Sequence, residues 1–369
     1  MPGRVSRLHN IDVVSELSGS GAGDGRVTGA LCAAVAQAGG PVAAGAAISQ
    51  IISRWVPHDA LRLVGLNPAA GIGLGSFSFW HDYHPALISA LVLNNYLHGD
   101  PCSTSVLARR DEPVAVVGAG GHGDAGMRRL LASHGVSGEL RLLIRDRHGP
   151  WGLLGLLRGE GARPFGVEEC RRAQLLVPAL LTALRRYVTA GPLTATAPAL
   201  PTGVIVVGSD HTVRSISPQA RAWMRLMWPG TGNGVPDWIA DPFWVGLSLH
   251  ARAHARDHRA WQPALCTPAA NFGRSILIHG QPLDEGGDGD VAILIQAAGG
   301  SMLLPSFCDW YGITPRERRI LEHLYDGAAP KQIARALDLS AHTVNDHLKS
   351  VYGKTRAQGR DELIAAISG

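Results

Sequence analysis

The alternation of apolar and polar positions divides the chain into three regions. In 1–189 and in 202–298, short apolar runs bounded by turn residues predict strands, and longer periodic stretches predict helices. Residues 313–369 show helical periodicity alone. The uncharged, proline-containing stretch 190–201 and the segment 299–312 are predicted to be linkers. The pattern therefore predicts two α+β domains followed by an all-α domain of four helices.

The first region is predicted to combine a sheet with several helices. Apolar runs on either side of NPAAGIG predict a strand pair, and ELRLLIRD and WGLLGLLR predict a hairpin around the turn RHGP. HPALISALVLNNYL indicates a helix, and FGVEECRRAQLLVPALLTALRRYV indicates one long amphipathic helix with a candidate kink at Pro178. Residues 27–53 carry no charge, but the Gly39-Gly40-Pro41 break predicts two short helices in place of a membrane span.

The second region is predicted to form a smaller α+β domain. TGVIVVGSDHTVRSIS predicts strand, polar turn and strand, and GRSILIHG and DVAILIQA predict two further strands after an intervening helix. His250, His254 and His258 recur every four residues in HARAHARDH. Three imidazoles on one helix face could clamp zinc, but the interleaved arginines, Arg252 among them, would repel a cation. A solvated helix face is the favoured interpretation.

The third region begins with signals for a helix start. Thr314 and Glu317 form a capping-box pattern, and Pro315 stands at the first helical position, where a missing N–H costs nothing. Gly327 is expected to end this helix and Ser340 to cap the third. Apolar periodicity predicts four helices, at about 315–326, 330–337, 341–353 and 360–367.

The second and third of these helices have the spacing of a helix-turn-helix. Asp338-Leu339-Ser340 joins them, and the third helix is the longer of the two. Its inward stripe is Val344, Leu348 and Val351. Asparagine can pair with adenine and lysine can reach guanine, so the opposite face has the chemistry to read a major groove. That face carries His342, Asn345, Asp346 and Lys349.

Composition permits a nucleic-acid partner without requiring one. The chain of 369 residues has a net charge of +4 and a pI of about 8.9. Residues 313–369 contain nine Lys+Arg and seven Asp+Glu, so a helical docking domain with a solvated polar face stays an alternative. The five cysteines are scattered without a C-x-x-C pattern, and the N-terminus lacks a signal-peptide core. A cytoplasmic protein is therefore expected.

The C-terminal region contains a set of motifs in one register: Ile313–Arg318, Lys331–Ala334, Leu339-Ser340, Thr343-Val344, His347-Leu348, Lys354 and Arg360–Leu363. Together these residues resemble the LuxR-type DNA-binding domain. The resemblance implies that the third helix enters the major groove and that the fourth helps dimerisation. Asn345 and Asp346 stand where many members have a basic residue, so base preference is expected to differ. Residues 355–357 replace the usual Leu-Gly-Val, a departure that bears on the fourth helix more than on the third.

The upstream regions resemble two sensory folds. WVPHDALRLVGLNPAAG, ELRLLIRDRHGPWGLLGLLR and the helix that begins at PF-x-x-E-E are similar to a GAF-like domain. GVIVVGSDHTVRSISPQARAWM, with SILIHG and VAILIQ, is similar to a PAS-like fold. The same domain order is familiar from actinobacterial regulators. These resemblances imply domains that hold a small ligand against one sheet face or that serve only to dimerise.

A glycine-rich stretch suggests an enzyme as the competing interpretation. Residues 114–126 read VAVVGAGGHGDAG, and G-x-G-x-x-G at 118–123 is the pattern of a dinucleotide-binding turn. The next helix is predicted to be short, and the following hairpin makes the sheet antiparallel, so an edge strand and a loop are favoured. Asp146 is then a turn residue. The aromatic and histidine stretch 80–84 could line a pocket or bind metal, but ordinary loop residues are favoured.

The sequence therefore predicts a transcriptional regulator that is not an enzyme and needs no cofactor. It is expected to bind double-stranded promoter or operator DNA as a homodimer, with half-sites about one helical turn apart. The alternatives are a nucleotide-dependent oxidoreductase that uses the 118–123 loop, and a regulator that acts only through protein partners. The predicted DNA-binding residues are Lys331, Ser340, His342, Thr343, Val344, Asn345, Asp346, His347, Lys349, Lys354 and Arg356.

Overall fold

The chain divides into two compact units. The first comprises residues up to 65 with 78–87 and 98–187, and the second comprises 66–77, 88–97 and 188–369. Within these, the computed structural model describes residues 21–37, 41–66, 75–118, 121–122, 125–227, 237–257 and 264–369.

The first sheet is built from the five strands predicted as apolar runs. They are β1 (Ala60–Leu66), β2 (Gly75–His81), β3 (Val114–Gly118), β4 (Val136–Asp146) and β5 (Gly149–Gly159). They lie in the order β2-β1-β5-β4-β3, and the β1–β5, β5–β4 and β4–β3 pairs are antiparallel. The predicted hairpin around RHGP is confirmed as β4 and β5.

Helices precede, separate and follow these strands along the chain. They are α1 (Gly21–Gln37), α2 (Pro41–Ile52), α3 (Pro85–His98), α4 (Thr104–Ala108), α5 (Ala125–Ser133), α6 (Val167–Leu175) and α7 (Val177–Thr189). The two short helices predicted around 27–53 are confirmed as α1 and α2. In the described residues, no helix combines the length and the apolar character that a membrane span requires.

The long amphipathic helix predicted before the linker is in fact two helices. α6 ends with Leu176 as its C-cap, where the backbone N–H bonds to the carbonyls of Ala173 and Gln174. α7 then begins at Val177, one residue before Pro178. Because proline has no N–H to donate to the carbonyl of Gln174, the helical hydrogen bonds cannot continue across this point.

The glycine-rich stretch forms an edge strand and a tight return, as favoured from the sequence. β3 is the outer strand of the sheet and runs antiparallel to β4. Beyond it, the Gly118 N–H bonds to the His122 carbonyl and the His122 N–H bonds to the Val116 carbonyl. Gly118 has φ 104°, and a Cβ on Gly121 would lie 2.3 Å from the Val116 oxygen. The chain thus needs these glycines to fold back on itself; Gly120 and Gly123 lie outside the described residues.

The second sheet is also five-stranded and antiparallel. Its strands lie in the order β7-β6-β10-β9-β8. Trp223 and Trp244, from the two longer helices, are fully buried in a core with Ile205, Ile278 and Ile293. The elements are β6 (Gly203–Val207), β7 (Val213–Ile216), α8 (Pro218–Met227), α9 (Asp237–Arg256), β8 (Ala264–Thr267), α10 (Ala269–Phe272), β9 (Ile276–Pro282) and β10 (Val291–Ala297).

His250 and His254, on the face of α9 interpreted as solvated, are half-buried. Arg252, which lies between them in sequence, is 2% exposed. Its guanidinium donates to the backbone oxygens of Gly208, Gly287 and Gly289. These carbonyls belong to loops that meet beneath the helix, and the planar fork of an arginine can satisfy several of them at once. His258 lies outside the described residues.

The segment 299–312 is not a linker but part of a core. It contains a 3-10 turn at Gly300–Met302 and a helix, α11 (Leu304–Trp310). Leu304 and Phe307 are buried in a cluster that also includes Leu277 of β9 and Ile320 of the C-terminal helices. The run LLPSFCDW places apolar residues at helical spacing, which explains why it packs.

The all-α prediction for the C-terminal residues is confirmed. Its helices are α12 (Pro315–Tyr325), α13 (Pro330–Ala336), α14 (Ala341–Thr355) and α15 (Arg360–Ser368). Val344, Leu348 and Val351 form the buried stripe of α14. This helix ends at Thr355, and its C-cap Arg356 has a φ of 64°, the left-handed conformation that terminates many helices.

Candidate nucleic-acid interface

Glu317 fixes the position of α14 relative to α12. In the capping box, Thr314 Oγ1 accepts from the Glu317 N–H at 3.3 Å, and Glu317 Oε2 accepts from the Thr314 N–H at 2.7 Å. The same buried carboxylate accepts from Ser350 Oγ at 2.7 Å and from Lys354 Nζ at 2.6 Å, both on α14. Burial opposes ionisation, but these donors outweigh it and lower the pKa of Glu317 to about 2.

The turn before α14 is fixed by local hydrogen bonds. Asp338 adopts a left-handed conformation with φ 53°, which reverses the chain after α13. Ser340 Oγ then accepts from the Thr343 N–H at 3.0 Å and lies 2.8 Å from Thr343 Oγ1. Serine is a preferred N-cap because its oxygen satisfies an amide that the helix leaves free. α14 therefore begins at Ala341, as the sequence predicted.

The outer face of α14 is exposed and polar. Asp346 lies between two nitrogen-bearing side chains: its Oδ2 is 3.3 Å from His342 Nε2, and its Oδ1 is 3.8 Å from Lys349 Nζ. The side chains of His342, Asp346 and Lys349 are 83%, 54% and 76% exposed. Asn345 is exposed next to them. The structure thus brings together the four polar residues assigned to this face from the sequence.

The other predicted DNA-binding residues have different environments. Lys331, Ser340 and Arg356 are exposed, and Thr343 and His347 are half-buried. Lys354 keeps 30% of its side chain exposed while its ammonium bonds to Glu317, so part of its role is structural. Val344, included in the predicted set, is fully buried and belongs to the core of the domain. The prediction was therefore wrong for Val344, because its side chain is buried in the cluster that includes Ile320 of α12 and Ile333 of α13.

One basic residue near the interface was not singled out from the sequence. Arg335 is exposed in the last turn of α13, four residues after the exposed Lys331. This spacing places both cations on one side of α13. The i, i+4 pattern was the available signal, and it marks a short basic strip on the helix that precedes α14.

The other candidate sites do not have the geometry of a metal centre. His81 Nε2 lies 3.4 Å from Asp82 Oδ2, and Tyr83 is buried and donates to Glu139 at 2.8 Å. Burial and the Glu139 carboxylate raise the pKa of Tyr83 well above its ordinary value. Within the described part of the chain, no group of three or more His, Cys, Asp or Glu residues could hold a metal ion.

The capped pair α13 and α14, with its exposed outer face, defines a helix-turn-helix domain. Residues 312–367 match the family model "Bacterial regulatory proteins, luxR family". The C-terminal helices therefore form a LuxR-type helix-turn-helix domain.

A curated relative aligns with a small part of this chain, and a solved structure is similar to it at low identity. The Klebsiella aerogenes protein named "Monoamine regulon transcriptional regulator" is 42% identical over 53 residues, which is 14% of this chain and 23% of that relative. The chain thus aligns with less than a quarter of the curated relative. A solved structure titled "Sensor region of a sensor histidine kinase" is 20% identical over 57% of this chain and 92% of its own, with a TM-score of 0.19. That score does not support a shared overall fold.

Proposed function

We propose that the protein is a transcriptional regulator that binds double-stranded operator DNA through α14. The observation that carries this proposal is the exposed polar face of α14, held in position by Glu317 and capped by Ser340 within a LuxR-type domain. A helix of this kind fits the major groove, and Asn345 and Lys349 carry the groups that pair with base edges. Lys331, Arg335 and Arg356 supply cations for flanking phosphates.

The proposal extends to the assembly and to the upstream units. A homodimer would present two copies of α14 to half-sites about one helical turn apart. The first unit and the second sheet would set the dimer geometry or respond to a small ligand, as their GAF-like and PAS-like resemblances imply. On this view the protein is cytoplasmic, is not an enzyme and needs no cofactor.

The test is binding of the full-length protein to promoter fragments, including that of its own gene, across a range of salt concentrations. The wild type is expected to bind with an affinity that falls steeply as salt rises. Lys349→Glu should lose about tenfold or more in affinity, because a donor to bases becomes a carboxylate that the phosphates repel.

Charge reversal of the exposed Arg225 on α8 is the matched control and should leave affinity unchanged. Absence of salt-dependent binding to every fragment would refute the proposal. If regulation in cells nevertheless survived in Lys349→Glu, the regulator would act through protein partners.

A further inference from the structure

Asp346 is an acidic residue at the centre of the surface proposed to face DNA. Its side chain is 54% exposed on the outer face of α14, beside Asn345 and one turn from Lys349. Duplex DNA carries a dense row of phosphates, so a carboxylate brought into its groove is repelled unless it makes a compensating contact. An exposed acid at this position therefore calls for a specific partner in the groove.

Among the four bases, the groups exposed in the major groove make cytosine the best partner for Asp346. An ionised carboxylate only accepts hydrogen bonds, and the major groove offers two exocyclic amines, adenine N6 and cytosine N4. The adenine amine stands beside the N7 acceptor, whose lone pair repels a carboxylate oxygen. The cytosine amine has a C–H as its neighbour on the groove edge. Asp346 is thus better matched to cytosine than to adenine.

The neighbour of Asp346 matches the other half of the same base pair. Lys349 Nζ lies 3.8 Å from Asp346 Oδ1, so an acceptor and a donor stand side by side on one helix face. Across a C·G pair, the cytosine amine stands beside the guanine O6 and N7 acceptors. The Asp346–Lys349 pair therefore complements the donor and acceptors of C·G. His342 Nε2 lies 3.3 Å from the other carboxylate oxygen, on the opposite side of Asp346 from Lys349.

We propose that Asp346 selects a C·G base pair in each operator half-site by accepting a hydrogen bond from cytosine N4, with Lys349 donating to the paired guanine. This inference rests on the proposed function, since it names the base that the same helix face reads. It assigns the specificity of one base position to one side chain.

The experiment is selection of bound sequences from a random double-stranded DNA pool with the full-length protein and with Asp346→Asn. The wild type is expected to enrich a motif with an invariant C·G pair in each half-site. Asp346→Asn should lose that preference by about tenfold, or move it to A·T, because asparagine pairs bidentately with adenine. The rest of the motif should stay the same.

Asp361→Asn is the matched control, because it removes the same charge from an exposed aspartate in the first turn of α15. It should leave the motif unaltered at every position. A motif enriched by the wild type and kept unchanged by Asp346→Asn would overturn this inference while leaving DNA binding intact. Failure of the wild type to enrich any motif would instead overturn the proposed function, and the inference with it.

Discussion

At the scale of single residues, the Glu317 carboxylate connects the start of α12 to the far half of α14. It accepts from Thr314 within the capping box and from Ser350 and Lys354 on α14. The carboxylate is buried, so the loss of any one donor leaves part of its negative charge uncompensated. The angle at which α14 presents its outer face therefore depends on a residue that is not on that face.

We expect Glu317→Gln to destabilise α12 and α14 by about 2 kcal/mol, because charge-assisted hydrogen bonds become neutral ones and Lys354 loses its anionic partner. Amide hydrogen exchange of these helices in the full-length protein measures the change. Glu322→Gln is the matched control: the exposed Glu322 pairs with the exposed Arg318 four residues away, so it should cost about 0.5 kcal/mol or less. Equal effects of the two substitutions would contradict this role of Glu317.

The same carboxylate should make the domain sensitive to acid. The pKa of Glu317 is about 2 in the folded state against an ordinary value of 4.5. A depressed folded-state pKa gives stability that is fully present above about pH 4.5 and is lost as the pH falls toward 2. The stability difference between wild type and Glu317→Gln should therefore be largest near neutrality and shrink below pH 4.5. A difference that does not change with pH would show that Glu317 contributes through packing alone.

At the scale of elements, helix ends were predictable where their signals are local. Thr314, Pro315 and Ser340 start α12 and α14 at the residues expected, because a cap acts on amides only two or three residues away. The burial of Arg252 could not be predicted, because its hydrogen-bond partners are 35 to 44 residues distant in sequence. Likewise, the contacts of Glu317 with α14 span 33 and 37 residues, so the capping box was visible in the sequence and the link to α14 was not.

Ser340 allows the N-cap of α14 to be separated from its contact with DNA. Ser340→Ala should cost about 1 kcal/mol in the stability of α14, since the Thr343 amide loses its acceptor. Ser340→Asp keeps an N-cap oxygen and places a negative charge at a helix N-terminus, so stability should be retained.

DNA affinity should nevertheless fall in Ser340→Asp, because Ser340 is exposed at the N-terminus of the helix proposed to bind DNA, and phosphates would repel an added carboxylate there. Hydrogen exchange of α14 and binding to the selected operator, measured on the same proteins, separate the two effects. If Ser340→Asp bound DNA as tightly as the wild type, Ser340 would be a cap and not a phosphate contact.

At the scale of the whole molecule, the second unit joins a sheet and a helix-turn-helix domain through a shared core. Leu277 of β9, Phe307 of α11 and Ile367 of α15 belong to one buried cluster. Arg274, 3% exposed, donates to the Ala197 carbonyl at 3.0 Å and to the Gly369 carbonyl at 2.6 Å. The sequence suggested separate domains here because linkers were inferred from composition, whereas the packing of α11 depends on residues on both sides of it.

This shared core should make the second sheet and the C-terminal helices unfold together, and Arg274→Ala tests the connection. Removing the guanidinium deprives two half-buried carbonyls of this donor, at a cost of about 1 kcal/mol. Faster amide exchange is therefore expected in both β9 and α15 of the full-length protein.

Affinity for a single half-site should not change in Arg274→Ala, since none of the hydrogen bonds described for Arg274 involves α14. Arg225→Ala, at an exposed position on α8, is the control and should alter neither measurement. Faster exchange in α15 alone would mean that the sheet and the helices are independent folding units, because a shared core transmits the loss to both.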